Sequence, residues 1–584
     1  MDPVLGAIAD AGGTARSPLL DPLTVIPVVG DQVDGLRDLT GRLDEIASTA
    51  DGALVDVESA LGATGDAGGK VALTTAAIDA VDAIRDELAS GVPVDTTSLI
   101  GPLRSAAVRF DERLDEADTE LSVLEDRLAV AKDLLIGPTD VLVLAANNAE
   151  VRAGMGMHLS AGIVTIEDGE FDSTEFFATG LLLGVTEGRA DVPEELEAMY
   201  RRIWDFGREW RTTSTSPNFP VVGSILADLA ARTPIGEVDL VLSIDTPALA
   251  ELLEATGPVT VEDRTIDADN AVDVLLRDNY LELGDPSQTS ERRELQSDVA
   301  LEIFDALTER NVDAIELAAG LASAAEGRHV LGWAADAAVQ DLFEALGADG
   351  ALSERSLLVS FQNASASKRD YYTDTHVRIV PLDTETSALP RRFRAVATLD
   401  NPVVDPTAPY VDSLNRFTPV GVHRAFVTFT LPEGVTDIEV VNGDLSSIGT
   451  DGPTTVANLW LRVPEGTSGD VAIDFTVPDD LWTFEVLPSA RIRPTTYEIG
   501  PVTIVDDEPT VVPTPRIAAF RPQEARPLEA AALAILLMVA ILHVSRSRRL
   551  NASEPDVDGA AADARLARAL VLFALALVFL SATT

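Results

Sequence analysis

The hydrophobic period of this chain changes twice along its length, and that limits it to a few architectures. Between about Asp31 and Asp133, apolar residues recur at three- and four-residue steps among acidic ones, in Val33–Ile46, Val71–Leu88 and Leu103–Leu135. That is the spacing of helices with one apolar face. Gly91, Pro93, Gly101 and Pro102 interrupt it. The pattern predicts an antiparallel helical hairpin or stalk over 1–137. From Thr139 strand-length apolar runs alternate with amphipathic stretches. Asp140–Ala146, Ala161–Ile166 and Leu240–Ile244 read as strands. Glu194–Trp210 (with an aromatic face), Ala248–Ala255, Asn270–Leu276 and Ser290–Arg310 read as helices. This alternation predicts an α/β domain over 138–356. After Leu357, runs such as LLVSFQN, RFRAVATLD and VAIDFTVP are separated by Pro, Gly and Asp turns. Their spacing predicts an antiparallel β-sandwich over 357–508. The proline-rich stretch 509–527 reads as a stiff linker.

Two apolar runs follow, Leu528–Val544 and Ala569–Leu580. Each approaches the roughly 20 residues that cross a bilayer. They predict two transmembrane helices within 528–584. Arg546, Arg548, Arg549, Arg565 and Arg568 lie in or beside the connection. The positive-inside rule assigns that connection to the cytoplasm. The expected location is therefore the cell membrane, with the main domains extracytoplasmic. Met1–Leu20 has no basic segment followed by an apolar one. Export would then call for an apolar segment encoded upstream.

The charge balance narrows the partners. Lys and Arg total 43 against 96 Asp and Glu, a formal net charge of −53. Such a surface repels nucleic acid at long range and suits a salt-adapted acidic protein. There is no cysteine, which excludes disulfides, thiolate nucleophiles and cysteine-bound metals. The five histidines are scattered without a paired metal-binding spacing. A carboxylate-held Mg²⁺ stays open.

The polar cluster Asn147, Asn148, Glu150 and Arg152 follows a buried-type strand, where open α/β sheets commonly place a site. The same residues can equally form a turn closed by an ion pair. Gly154 and Gly156 offer a backbone cradle for phosphate or simply a tight turn. Asp245 precedes Thr246-Pro247 and reads first as a helix cap, second as a metal ligand. Lys368, Asp370, Tyr371 and Tyr372 line a groove or pack. No Ser-His-Asp arrangement is identifiable in the sequence.

Leu142–Gly169, LVLAANNAEVRAGMGMHLSAGIVTIEDG, resembles the central signature of a bacterial and archaeal family, domain of unknown function four thousand and twelve. Thr24–Gly30, Val238–Val261, Asp267–Tyr280, His329–Gly350 and Phe361–Asp374 continue the resemblance in order. Gly154-Met155-Gly156-Met157 and Ser216–Pro220 depart from the family pattern. The family implies no activity. More distantly, Asp245, Gly257–Val259 and the run Asp285, Arg292, Arg293, Gln296 look like the LytR-CpsA-Psr phosphotransferases. That resemblance implies arginines clamping a polyprenyl-pyrophosphate glycopolymer, with Mg²⁺ held by a carboxylate. Two functions are expected: from this resemblance, a cell-envelope protein that binds or transfers a lipid-pyrophosphate-linked glycopolymer; from the stalk, α/β body and β-sandwich, a non-catalytic surface or assembly protein in contact with envelope polysaccharide or other envelope proteins. The first expects Arg152, Arg292 and Arg293 in one pocket with Glu150 and Asn147.

Overall fold

Three long helices, Val29–Gly62, Gly68–Ser90 and Gly101–Ile136, form the first of two units. They come from a computed structural model that describes residues 29–62, 68–174, 176–201, 203–309, 314–382, 391–405, 409–412 and 418–515. The middle helix packs against both others. Ala53, Ile84, Leu88 and Ala117 are buried between them, as are Leu39, Leu99 and Phe110. Pro102 opens the third helix and Gly137, at φ 63°, ends it. Proline lacks an N–H that the first turn leaves unbonded, and glycine tolerates the left-handed exit.

The second unit begins at Pro138 and holds both remaining layers. Its α/β layer is built on β1 (Thr139–Val151), β2 (Gly156–Glu167), β3 (Glu170–Ser173), β4 (Phe177–Ala178) and β5 (Leu240–Asp245). A small hairpin, β6 (Val259–Val261) and β7 (Arg264–Ile266), precedes β8 (Val330–Ala334). The main sheet runs β3-β2-β1-β5-β8, with β4 also on β2. Among the described residues of this sheet, β1 and β5 pair in parallel, whereas β2 on β1 and β8 on β5 are antiparallel. The layer is therefore a mixed sheet. Helix Phe219–Ala231 buries Val222, Ile225, Leu226 and Leu229 in the same core.

The β-rich part is two six-stranded sheets. One orders Thr436–Asn442, Thr467–Thr476, Arg392–Asn401, Asp374–Pro381, Thr496–Ile499 and Val502–Val505. The other orders Asp444–Asp451, Thr454–Val463, His423–Leu431, Ser356–Asn363, Thr483–Val486 and Thr510–Pro513. Phe361, Phe393, Phe429, Phe475 and Phe484 fill the space between them. The expected purely antiparallel arrangement needs correction. Strand 374–381 pairs in parallel with 496–499, and 356–363 with 483–486. The two layers share one core. Tyr200, Phe206, Trp210 and Val222 pack with Phe426 and Val456 of the sandwich. Burying a ring such as Phe426 contributes about 1.5–3 kcal/mol.

Three sequence expectations change. Helix Glu194–Tyr200 stops short of Trp210, because the Ile203 and Trp204 N–H groups fold back onto the Tyr200 carbonyl. That turn lets the aromatic residues converge on Phe426 instead of sharing a helix face. The helix expected from Asn270 is a composite, Ala271–Asp273 and Asn279–Glu282 flanking a π-helical segment, Val274–Asp278. The fold class with two transmembrane helices is also corrected: among the described residues no helix is long and apolar enough to cross a membrane. The long helices carry charged residues along their whole length. The runs within 528–584 lie outside the described residues.

Candidate functional site

The parallel ladder of β1 and β5 ends with Ala146 opposite Asp245; β5 leaves the sheet there, while β1 runs on beside β2 to Val151. The β1–β2 register slips between Asn147 and Val151, so the intervening residues bulge out of the ladder. Bulges re-aim side chains, and here they send four polar residues in different directions. The Asn147 amide donates to the Tyr280 hydroxyl at 2.9 Å while its carbonyl accepts from the Ala149 N–H. Asn148 donates to Asp245 at 2.6 Å and to the Ala490 carbonyl at 2.8 Å. Glu150 meets the Lys368 ammonium at 3.3 Å. Arg152, 3% exposed, donates to the Asn363 carbonyl at 2.6 Å and stacks over Trp204. Burial pushes its guanidinium down to about 10, against the pull of Glu150 and Asp370.

Those partners come largely from the motif Phe361–Asp374, which forms the other half of a polar lock. Burial works against the Lys368 ammonium, but Glu150 and the Tyr280 hydroxyl outweigh it and hold its pKa above the usual value. Asp370, fully buried, accepts from the Val151 N–H and the Asn363 amide and lies 3.0 Å from His423. Burial alone would raise its carboxyl; His423 and Arg491 bring it below the usual range. Arg369 pairs with Asp412 and Glu465, and the Tyr371 hydroxyl donates to Asp273. The lock is an interior fastening between β1 and the sandwich.

Ser365 lies 3.3 Å from His423, which faces Asp370. This is a serine–histidine–carboxylate series that the sequence did not reveal, since the three are spread over Ser365–His423. All three are fully buried, and Ser365 is tied to the backbone N–H and carbonyl of Arg424. No substrate reaches such a hydroxyl. A second buried polar group was equally hidden: His158 bridges Thr213 and Ser243, and burial drives its pKa down to about 3.

The glycine turn is structural too. The Gly154 N–H is bonded to the Ser214 carbonyl. A Cβ on Gly154 would lie 2.7 Å from the Ser216 carbonyl oxygen, and one on Gly156 2.4 Å from the Asn147 carbonyl carbon. The turn needs glycine so that backbones can cross. Asp245 caps helix Thr246–Thr256 through the Ala248 N–H, and its other oxygen takes Asn148 and His329. Burial lowers the His329 pKa, but Asp245 raises it further, leaving it above the ordinary value. Among the described residues no group of three His, Asp or Glu is placed to hold a metal ion.

Beside the ends of β1 and β5 opens a cleft of about 890 Å³. Ala145, Ala146, Asn147, Ile244, Asp245 and Thr246 form its floor. Leu159, Phe176, Phe177 and Leu181 make one wall, with Leu249 and Leu275 beyond. Helix Thr289–Glu309 also lines the cleft, through Ser290, Arg293, Gln296, Ser297, Ala300 and Leu301, which recur at three- and four-residue steps. Asp298 also reaches the cleft. Arg293 is exposed and pairs with no carboxylate among the described residues. Arg292, one position earlier, is buried: it donates to the Leu283 carbonyl at 2.6 Å and lies over the Tyr280 ring. Tyr280 also sits 3.5 Å from the Gln296 amide. The cleft thus gathers Asn147, Asp245, Arg293 and Gln296. Asn148, Glu150, Arg152 and Arg292 do not line it, so the expected convergence of the three arginines does not occur.

Residues 137–280 match the model of a family described as protein of unknown function (DUF4012). The match takes in the Asn147–Arg152 bulge, Asp245 and Tyr280, and stops before Arg293. No curated protein matches the chain. Neither comparison shows a LytR-CpsA-Psr relation.

Proposed function

We propose that the cleft binds an amphiphilic anion, a lipid-linked phosphate or pyrophosphate of the kind that carries envelope glycopolymers. The observation that carries this reading is the mixed lining of the cleft. Phe176, Phe177, Leu181, Leu249 and Leu275 line it together with helix Thr289–Glu309, which brings Arg293, without a carboxylate partner among the described residues, beside Ser290, Gln296, Ser297 and the carboxylate of Asp298. Arg293 is the fifth residue of helix Thr289–Glu309, just past the N-terminal turn, whose dipole also carries positive charge. The head group sits against Arg293, Gln296 and Ser290, and the tail lies along Phe176, Phe177, Leu181 and Leu301. Arginine's fork suits paired phosphoryl oxygens.

The role is binding and presentation, because Asp245, the nearest carboxylate to the sheet ends, is already spent on a helix cap, Asn148 and His329. An acidic surface without cysteines suits work on the outer side of a cell membrane. The test is titration of the full-length protein with geranylgeranyl diphosphate, with free pyrophosphate and geranylgeraniol as separate probes. Both halves together should bind more tightly than either alone. Arg293→Ala should weaken the diphosphate by roughly ten- to hundredfold, the worth of one charge-assisted contact. Binding by neither the wild type nor any probe, or an Arg293→Ala affinity equal to wild type, overturns the reading and favours an assembly protein.

A further inference from the structure

Away from the lipid cleft, a chain of rings and cations runs along the seam between the two layers. Arg152 lies 4.9 Å over Trp204; Trp204 stands edge-on to Phe426 at 5.2 Å, and Phe426 to Trp460 at 4.8 Å. Arg424 then lies 5.0 Å over Trp460. The order has a simple origin. Strands 423–431 and 454–463 pair with Phe426 opposite Trp460 and Arg424 opposite Arg462, so all four share one sheet face. Phe426 is fully buried under the helical layer, whereas Trp204 and Trp460 are only partly covered.

Two like charges directly opposite each other on a sheet are destabilising. In a chain of net charge −53, carboxylates are abundant, yet among the described residues none pairs with Arg424 or Arg462. Asp444 stands opposite Trp460 on the outer strand and pairs with neither. Burial and the neighbouring Arg462 both push the Arg424 guanidinium down. The Nε atoms of Arg424 and Arg152 are buried with no hydrogen-bond partner. Arg152 keeps Glu150 and Asp370 as counter-charges, whereas Arg424 and Arg462, beside the tilted Trp460, have no carboxylate partner among the described residues.

We infer that this seam binds a short acidic sugar chain, its ring faces against Trp204 and Trp460 and its carboxylates on Arg424 and Arg462. Flat aromatic faces accept the C–H side of a pyranose while guanidinium forks take carboxylates bidentately. A short uronate carries few charges, so it meets far less long-range repulsion from this surface than a nucleic acid does. None of these residues lines the lipid cleft, so the inference stands or falls independently of the proposed lipid binding.

The experiment is calorimetric titration of the full-length protein with tetragalacturonate, the neutral galactose tetramer and an oligoglutamate. Tetragalacturonate should bind best, and more weakly as salt is raised. Arg462→Glu, on an exposed side chain, should weaken it by roughly tenfold or more, and Trp204→Leu should weaken it without altering the salt dependence. Four results overturn the inference: no binding of tetragalacturonate, equal binding of the neutral tetramer, equal or tighter binding of oligoglutamate, or an unchanged affinity in Arg462→Glu.

Discussion

Lys368→Met tests whether Glu150 serves the interior or a ligand. In the native protein Lys368 is 3.3 Å from Glu150, with side chains 3% and 12% exposed, and its ammonium lies 4.7 Å over the Tyr280 ring. Unit charges at that separation interact by about 5 kcal/mol with an effective dielectric constant of 20. Desolvation offsets much of that gain. Removing Lys368 takes away the ammonium that Glu150 meets and leaves the carboxylate only the more distant pull of Arg152 and Arg211, at a cost of up to roughly 3–5 kcal/mol. The assay is urea unfolding followed by tryptophan fluorescence. All five tryptophans lie beyond Pro138, so the signal reports the second unit alone. Lys368→Met with Glu150→Gln should recover most of the loss. A loss below about 1 kcal/mol in the single variant, or a double variant as unstable as the sum, would refute the lock.

Two further expectations use the same assay. His158, held near pKa 3 against an ordinary 6.5, takes up a proton on unfolding, so stability is lost as pH falls from about 6.5 toward 3. Asp506, raised to about 7 from 3.8 by burial, releases a proton on unfolding, so stability falls as pH rises across that window. His158→Gln should flatten the first slope and Asp506→Asn the second; slopes unchanged in both would show that other groups set the profile. Gly156→Ala should cost about 1–3 kcal/mol because its Cβ would press on the Asn147 backbone, and it should weaken diphosphate binding by moving the cleft floor. Native stability and unaltered binding in that variant would remove the backbone crossing as the reason for glycine.

Periodicity carried the layers far but not the roles of side chains. The strands at 140–146 and 240–244 and the helix from 290 were legible because their apolar residues repeat with one period. Strand Asp444–Asp451, mostly exposed and written DLSSIGTD, offered no such repeat. It forms because strand 454–463 supplies its ladder. The Asn147–Arg152 cluster was legible as a polar group at a strand end. Its partners were not, since Asp370 and Ala490 lie 219 and 342 residues away from the groups they bond. The paired arginines show a different limit. Adjacent helical residues point about 100° apart, so Arg292 and Arg293 need not share one surrounding, and here only Arg293 lines the cleft. Which of them turns inward depended on where Tyr280 and Leu283 came to rest.

The bond from Asn148 to the Ala490 carbonyl also bears on how the chain is made. During vectorial synthesis, β1 emerges long before the segment that satisfies its bulge. Until Ala490 arrives, the Asn148 amide, the Asp370 carboxylate and the sheet end they brace lack their native closure. The second unit therefore cannot complete its closure until its last strands are made, and contacts so far apart in sequence slow folding and leave an incomplete sheet exposed meanwhile. A surface of dense negative charge keeps such half-finished chains apart from one another.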